Sequence, residues 1–86
     1  MIIYRLFTED INRKGIENIV TKKFTGYTII PASGYWKGIK EKSLVVEIVG
    51  NKNDKIAVDK VAQSIKQTNK QQAVLIQSYN VNSKLV

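Results

Sequence analysis

The sequence predicts an α+β domain of order β-α-β-β-α-β, and three observations predict it. Four short β-rich runs are separated, in that order, by two stretches of helical period. Three of the runs carry one uniformly apolar face: Ile2, Tyr4, Leu6; Leu44, Val46, Ile48; Val74, Ile76. The opposite face of the same runs reads apolar, polar, apolar: Ile3, Arg5, Phe7; Val45, Glu47, Val49; Leu75, Gln77, Tyr79. A sheet wetted on one side alternates cleanly between apolar and polar. The second face is therefore expected to be buried as well, against another copy of the chain.

Each element has its own signal. Residues 2–8 are β-rich, and Thr8 to Asn12 is a polar break able to cap a helix. Ile16, Ile19 and Val20 follow helical spacing, with Gly15 as an early weak point and Gly26 as the stop signal. Residues 27–33 read as a second strand whose Pro31 cannot donate to a ladder, which predicts a sheet edge. Gly34 to Gly38 reads as a turn or an irregular hairpin tip, and residues 43–49 as the strongest strand. Asp54 is the expected cap of a helix whose Val58, Val61, Ala62 and Ile65 share one face. Residues 73–79 read as the last strand. The tail, 80–86, ends in Leu85 and Val86 and is expected to dock on a neighbouring subunit.

This order is the split βαβ, or ferredoxin-like, arrangement: a four-stranded antiparallel sheet with two helices on one face. Its first and third strands lie centrally, the fourth beside the first, the second at an edge. The helices are expected on the Tyr4, Val46 and Ile76 side. The other face then carries Gln77, Arg5 and Glu47 as a row, flanked by Ile3, Phe7, Val45, Val49 and Leu75. Such a row is either a wet surface salt bridge or a polar line that fixes the register of two packed sheets. The apolar flanks favour the second, because they would otherwise form an exposed patch of unusual size.

Composition bounds the function. The 86 residues fit one domain, 1–86, whose small core would gain from self-association. The chain has no Cys and no His, so no disulfide, thiolate, structural zinc or ordinary acid–base imidazole is expected, and no cofactor. No apolar run approaches the ~20 residues of a membrane span, and no signal-peptide pattern opens the chain. A cytoplasmic protein is expected. Lys and Arg total 14 against 7 acids, a net charge of +7, which biases partners toward anions or serves solubility alone. Only two of those cations are Arg, the side chain best suited to phosphate forks.

Around the expected tip, aromatics and cations interleave: Tyr35, Trp36, Lys37, Lys40 and Lys42. A flat base could stack on the rings while Lys meets phosphate. Trp36 reads more simply as a plug packing on a helix end or a neighbouring subunit. Gly34 and Gly38 flank this stretch without the Lys-Ser/Thr of a phosphate loop. Arg13 and Lys14 stand at the start of the first helix, either as an anion site or as an ordinary solvated helix end. No nucleophile–base pair is selected. Glu9 and Asp10 are adjacent in a turn, and Glu41 and Glu47 lie at different ends or sides of one strand, so no enzyme is expected.

The segment Ser33-Gly34-Tyr35-Trp36-Lys37-Gly38 through Glu41-Lys42-Ser43 to Ile48 resembles the middle of the PII-like and CutA-like proteins. Those place a Tyr/Trp-Lys-Gly element between two long strands, followed by Glu-x-Ser. The resemblance covers residues 33–48 in sequence and is compatible with 2–79 in topology. It implies a ferredoxin-like protomer, homo-oligomers that are trimeric in those families, and ligand sites between subunits. The chain lacks the long PII nucleotide loop and the Cys and His of CutA, so copper binding does not carry over.

These readings converge on a non-enzymatic oligomer, a dimer, trimer or higher, that binds a small anionic ligand at a subunit boundary. A nucleotide is the leading candidate. Arg5, Tyr35, Trp36, Lys37, Lys40 and Lys42 are the expected contacts, with Arg13 second. Ile3, Phe7, Val45, Glu47, Val49, Leu75 and Gln77 are the expected interface. So small a chain, with no output domain, leans toward sequestration, by analogy with phage proteins that sponge up nucleotide immune signals in the host cytoplasm. The alternatives are a nucleic-acid-binding domain, and a protein inhibitor acting through its basic surface. The aromatic-rich RNA-binding strand pattern is absent.

Overall fold

The computed structural model describes residues 1–86. Alternating β-branched and aromatic residues put Ile2–Glu9 into strand β1, and the ladder continues in β2 (Thr28–Trp36), β3 (Ile39–Gly50) and β4 (Leu75–Asn80). Helix α1 spans Arg13–Thr21 and α2 spans Lys55–Thr68, preceded by a short 3-10 turn at Lys52–Asp54. The strands form one antiparallel four-stranded sheet in the order β2-β3-β1-β4. β1 and β3 are central. Pro31 lies on the edge strand β2, opposite Leu44, where its missing N–H breaks no inner ladder.

The core sits between the sheet and the two helices. Tyr4, Leu6, Leu44, Val46 and Ile48 from the central strands meet Ile16 and Val20 of α1 and Val58, Val61, Ala62 and Ile65 of α2. Val74 and Ile76 pack against the same cluster, so both helices cover the uniformly apolar face. The Tyr4 hydroxyl enters this core only because it donates to the Asn51 carbonyl at 2.6 Å. Burial, then Asp54 and Asp59, hold that phenol above its ordinary pKa.

Local chemistry explains the element ends. Asn12 adopts the left-handed conformation, φ 55°, and its side chain accepts from the Gly15 N–H at 3.2 Å. A Cβ at Gly15 would collide with the Asn12 amide, so this glycine is a condition of the cap rather than a weak point. Asp54 does not cap α2 with its side chain. Its Oδ2 instead accepts from the Asn51 N–H at 2.9 Å, closing a reciprocal capping box with Asn51 around the 3-10 turn.

The hairpin tip departs from the sequence expectation. Residues 34–36 are not irregular: β2 continues to Trp36 and β3 begins at Ile39. Tyr35, Trp36 and Ile39 are strong strand formers, and they extend the ladder. Only Lys37 and Gly38 turn, at φ 52° and 78°. Two consecutive left-handed residues match the right-handed strand twist of a two-residue hairpin. β4 starts at Leu75 rather than at residue 73, and the last residues, Leu85 and Val86, are fully exposed.

Candidate functional site

The sheet face away from the helices is organised in rows, set by the registers of the three strand pairs. Tyr79, Ile3 and Val49 form one row. Gln77, Arg5, Glu47 and Thr28 form the next and cross all four strands. Leu75, Phe7, Val45 and Ile30 form the third. The polar middle row is the one expected from parity, extended by Thr28 on the edge strand.

Arg5 is held from two sides. Its Nε donates to Glu47 Oε2 at 2.6 Å, and its guanidinium lies 5.3 Å from the centre of the Tyr79 ring. The apolar rows around it lack cover. Ile3, Phe7 and Val45 are half-buried, while Val49 is 48% exposed and Leu75 55%. On the other face Leu6, Val46 and Ile48 are completely enclosed.

Toward one end of this open face the β2–β3 hairpin reaches beyond the end of β1. Asp10 N–H donates to the Lys42 carbonyl at 3.0 Å, tying the hairpin to the β1 exit. The Trp36 indole N–H reaches across to Gln72 Oε1 at 3.1 Å. Between the hairpin, the end of β1 and the segment entering β4 lies a cleft of about 830 Å³. Phe7, Val45 and Leu75 from the open face line its inner end, and Tyr35, Trp36 and Ile39 line the hairpin side.

Its polar lining is of mixed charge. Lys37 and Lys70 contribute cations, and Glu9 and Glu41 contribute acids. Burial and the neighbouring Glu9 carboxylate hold the Glu41 carboxyl above its ordinary range. Gln71 fixes the floor. Its Nε2 donates to Thr8 Oγ1 at 2.6 Å, and its Oε1 accepts from the Glu9 N–H at 3.1 Å. Gln71 is the one buried amide, and no buried polar side-chain atom is left without a partner.

Of the expected ligand contacts, Trp36 and Lys37 come together in the cleft, while Tyr35 borders it and, paired with Lys40, turns its ring to the other side of the ladder. Lys40 and Lys42 alternate with Glu41 along β3, so parity turns them to the opposite side of the ladder. Arg5 lies in the middle of the open face. Arg13 is apart from both, bound to Asp10 at 2.7 Å, and this hydrogen bond and charge raise its pKa further. Its pairing favours the ordinary helix-start reading over an anion site. Glu41 and Glu47 share the open side of β3 at different levels.

Sequence reasoning missed Gln71, Gln72, Lys70 and the facing of Glu9 toward Glu41. The last was legible. Ser43 pairs with Glu9, and Glu41 lies two residues along the same side. No group of three or more His, Cys, Asp or Glu residues is arranged to hold a metal, and no helix is long and apolar enough to cross a membrane. No protein-family model matches the chain, and no curated protein matches it significantly.

Proposed function

We propose that the chain is a non-enzymatic, ferredoxin-like module that assembles through its open sheet face and holds a small anionic ligand, foremost a nucleotide, at the boundary between copies. The strand order β2-β3-β1-β4, with both helices on one side, supports the ferredoxin-like reading. One observation carries the functional part. The cleft opens directly onto the uncovered apolar rows, sharing Phe7, Val45 and Leu75 with them. A copy that covered the face would also wall the cleft.

The chemistry of the cleft suits a ligand with two different ends. Trp36, 49% exposed, offers a ring for a base to stack on. Lys37 and Lys70 offer charge to a phosphate. Glu9 and Glu41 would repel a bare phosphate, but they accept hydrogen bonds from the N–H edge of a base. A nucleotide satisfies all three. Sequestration in a cytoplasm, for a virus countering host nucleotide signals, is the setting in which such a module would serve without an active site.

Trp36 is the only tryptophan, so its fluorescence reports on the cleft directly. Titration with mono-, di- and cyclic nucleotides is expected to quench it saturably, and Lys37→Ala is expected to weaken the response. A silent Trp36 with every nucleotide would refute the ligand. Steeply salt-dependent binding of long oligonucleotides would favour a nucleic-acid-binding domain instead.

A further inference from the structure

We propose that the occupant of the open face is a second copy related by a two-fold axis that lies in the plane of the face and runs parallel to β1 and β3. This rests on the assembly reading above and adds a geometry to it. A two-fold interface must be self-complementary, because one patch meets itself. The three rows of this face allow two in-plane orientations of the axis, and the charges separate them.

Suppose first that the axis runs across the strands, along the polar row. Each strand then lies over its own counterpart, reversed. Arg5 meets Arg5 of the partner subunit, and Glu47 meets Glu47 of the partner subunit. Both like-charge contacts would be desolvated at the centre of the interface, which is costly. Sliding the axis to the Phe7 row sets Arg5 against Glu9 of the partner subunit, but it leaves Glu47 facing only Ser43 of the partner subunit and sets the apolar Val49 against Glu41 of the partner subunit.

Suppose instead that the axis runs parallel to the strands, between β1 and β3. Strand direction is kept and left is exchanged for right. β1 lies over β3 of the second copy, and β4 lies over its β2. Arg5 then faces Glu47 of the partner subunit, and the same contact repeats across the axis. Phe7 faces Val45 of the partner subunit, and Leu75 faces Ile30 of the partner subunit. Gln77 meets Thr28 of the partner subunit, amide to hydroxyl. Every strand finds a counterpart of matching character. Aligned sheets cross at about 30°, and Arg5 and Glu47 lie next to the axis, where that rotation displaces them least. The internal pair at 2.6 Å becomes one side of a four-charge cluster of alternating sign.

Charge exchange tests the contact. Arg5→Glu and Glu47→Arg, each alone, are expected to run as monomers. Mixed in equal amounts they are expected to recover the native dimer mass, since each supplies the charge the other lacks. Both variants keeping the native mass alone would overturn the proposal.

The axis is tested on an intact face. The native chain has no cysteine, so a single spin label can be placed by Lys40→Cys, on the side of β3 turned away from the open face. Lys40 lies seven residues along β3 from the polar row. With the axis parallel to the strands, the two labels share one end of the dimer, roughly 25 Å apart at the sheet spacing of packed layers. With the axis across the strands they lie toward opposite ends, beyond roughly 45 Å at ~3.3 Å per residue. The shorter distance supports the proposal. The longer one, or a trimeric mass, overturns the axis while leaving assembly in place, and a monomeric native chain overturns both.

Discussion

The two faces of one sheet are built from the same four strands and end in opposite conditions. Toward the helices, β1 and β3 present Tyr4, Leu6, Leu44, Val46 and Ile48, all enclosed. Away from them, the same strands present Ile3, Phe7, Val45 and Val49, similar in chemistry and short of cover. The difference between the faces is the line Gln77-Arg5-Glu47-Thr28. A face closed within its own chain has its register set by the backbone and needs no polar key. A face closed by another molecule must be told how to sit, and a charged row can do that.

This contrast is open to direct attack. The largest effect is expected from Leu6→Ala, which empties a fully enclosed site on the helix side and should cost about 2–5 kcal/mol. That loss belongs to the single chain, so urea unfolding should show it at every protein concentration. Phe7→Ala, one residue along on the other face, should lower the melting temperature only at concentrations where the native chain assembles. A concentration-independent loss at Phe7 would mean that the open face stands alone.

Glu47→Lys comes next. It leaves the helix side untouched and sets two cations side by side on β1 and β3. On a wet face the pair it breaks is worth only ~0–1 kcal/mol. In a covered face the change should abolish assembly, which gel filtration would show. An unaltered oligomer mass and melting temperature would remove the polar row from the interface.

Gln71→Ala probes the cleft floor, where one amide serves Thr8 Oγ1 and the Glu9 N–H. Losing both partners should cost about 1–3 kcal/mol and loosen the segment that receives the Trp36 indole. Hydrogen exchange at the end of β1 would register the loosening, and unchanged protection there would argue that the cleft does not depend on Gln71.

The smallest effect concerns Glu41. Its folded pKa lies above the ordinary carboxylate value of 4.5, so the folded chain holds this proton more tightly than the unfolded chain. The resulting stability is fully present below the unfolded pKa and is lost as pH rises through the raised one. Glu41→Gln should therefore melt slightly higher than the native chain at neutral pH. The gap should close in acid, and a gap that widened there would reverse the assignment.

Much of this was legible in the chain because strand parity is rigid. Once Ile2 through Phe7 is a strand, Arg5 and Glu47 can share a row, and the observed register pairs them directly. Pro31 marked the edge for the same reason of backbone chemistry. The cleft was only half legible. Tyr35, Trp36 and Lys37 stood out as residue types, but the meeting of Trp36 with Gln72 depends on how far the hairpin extends and bends, and local spacing does not encode that. Reading residues 34–36 as a loose tip hid the alternation that turns Lys40 and Lys42 away from Glu41. Gln71 carried no signal at all, because a lone amide between a helix and a strand looks the same whether it is buried or wet.

The most direct measurement is the mass of the native chain in solution. Light scattering coupled to gel filtration at micromolar concentration should return at least twice the 9.7 kDa of one chain. A single species at 9.7 kDa would contradict a face closed by a second copy, and with it the cleft completed between subunits.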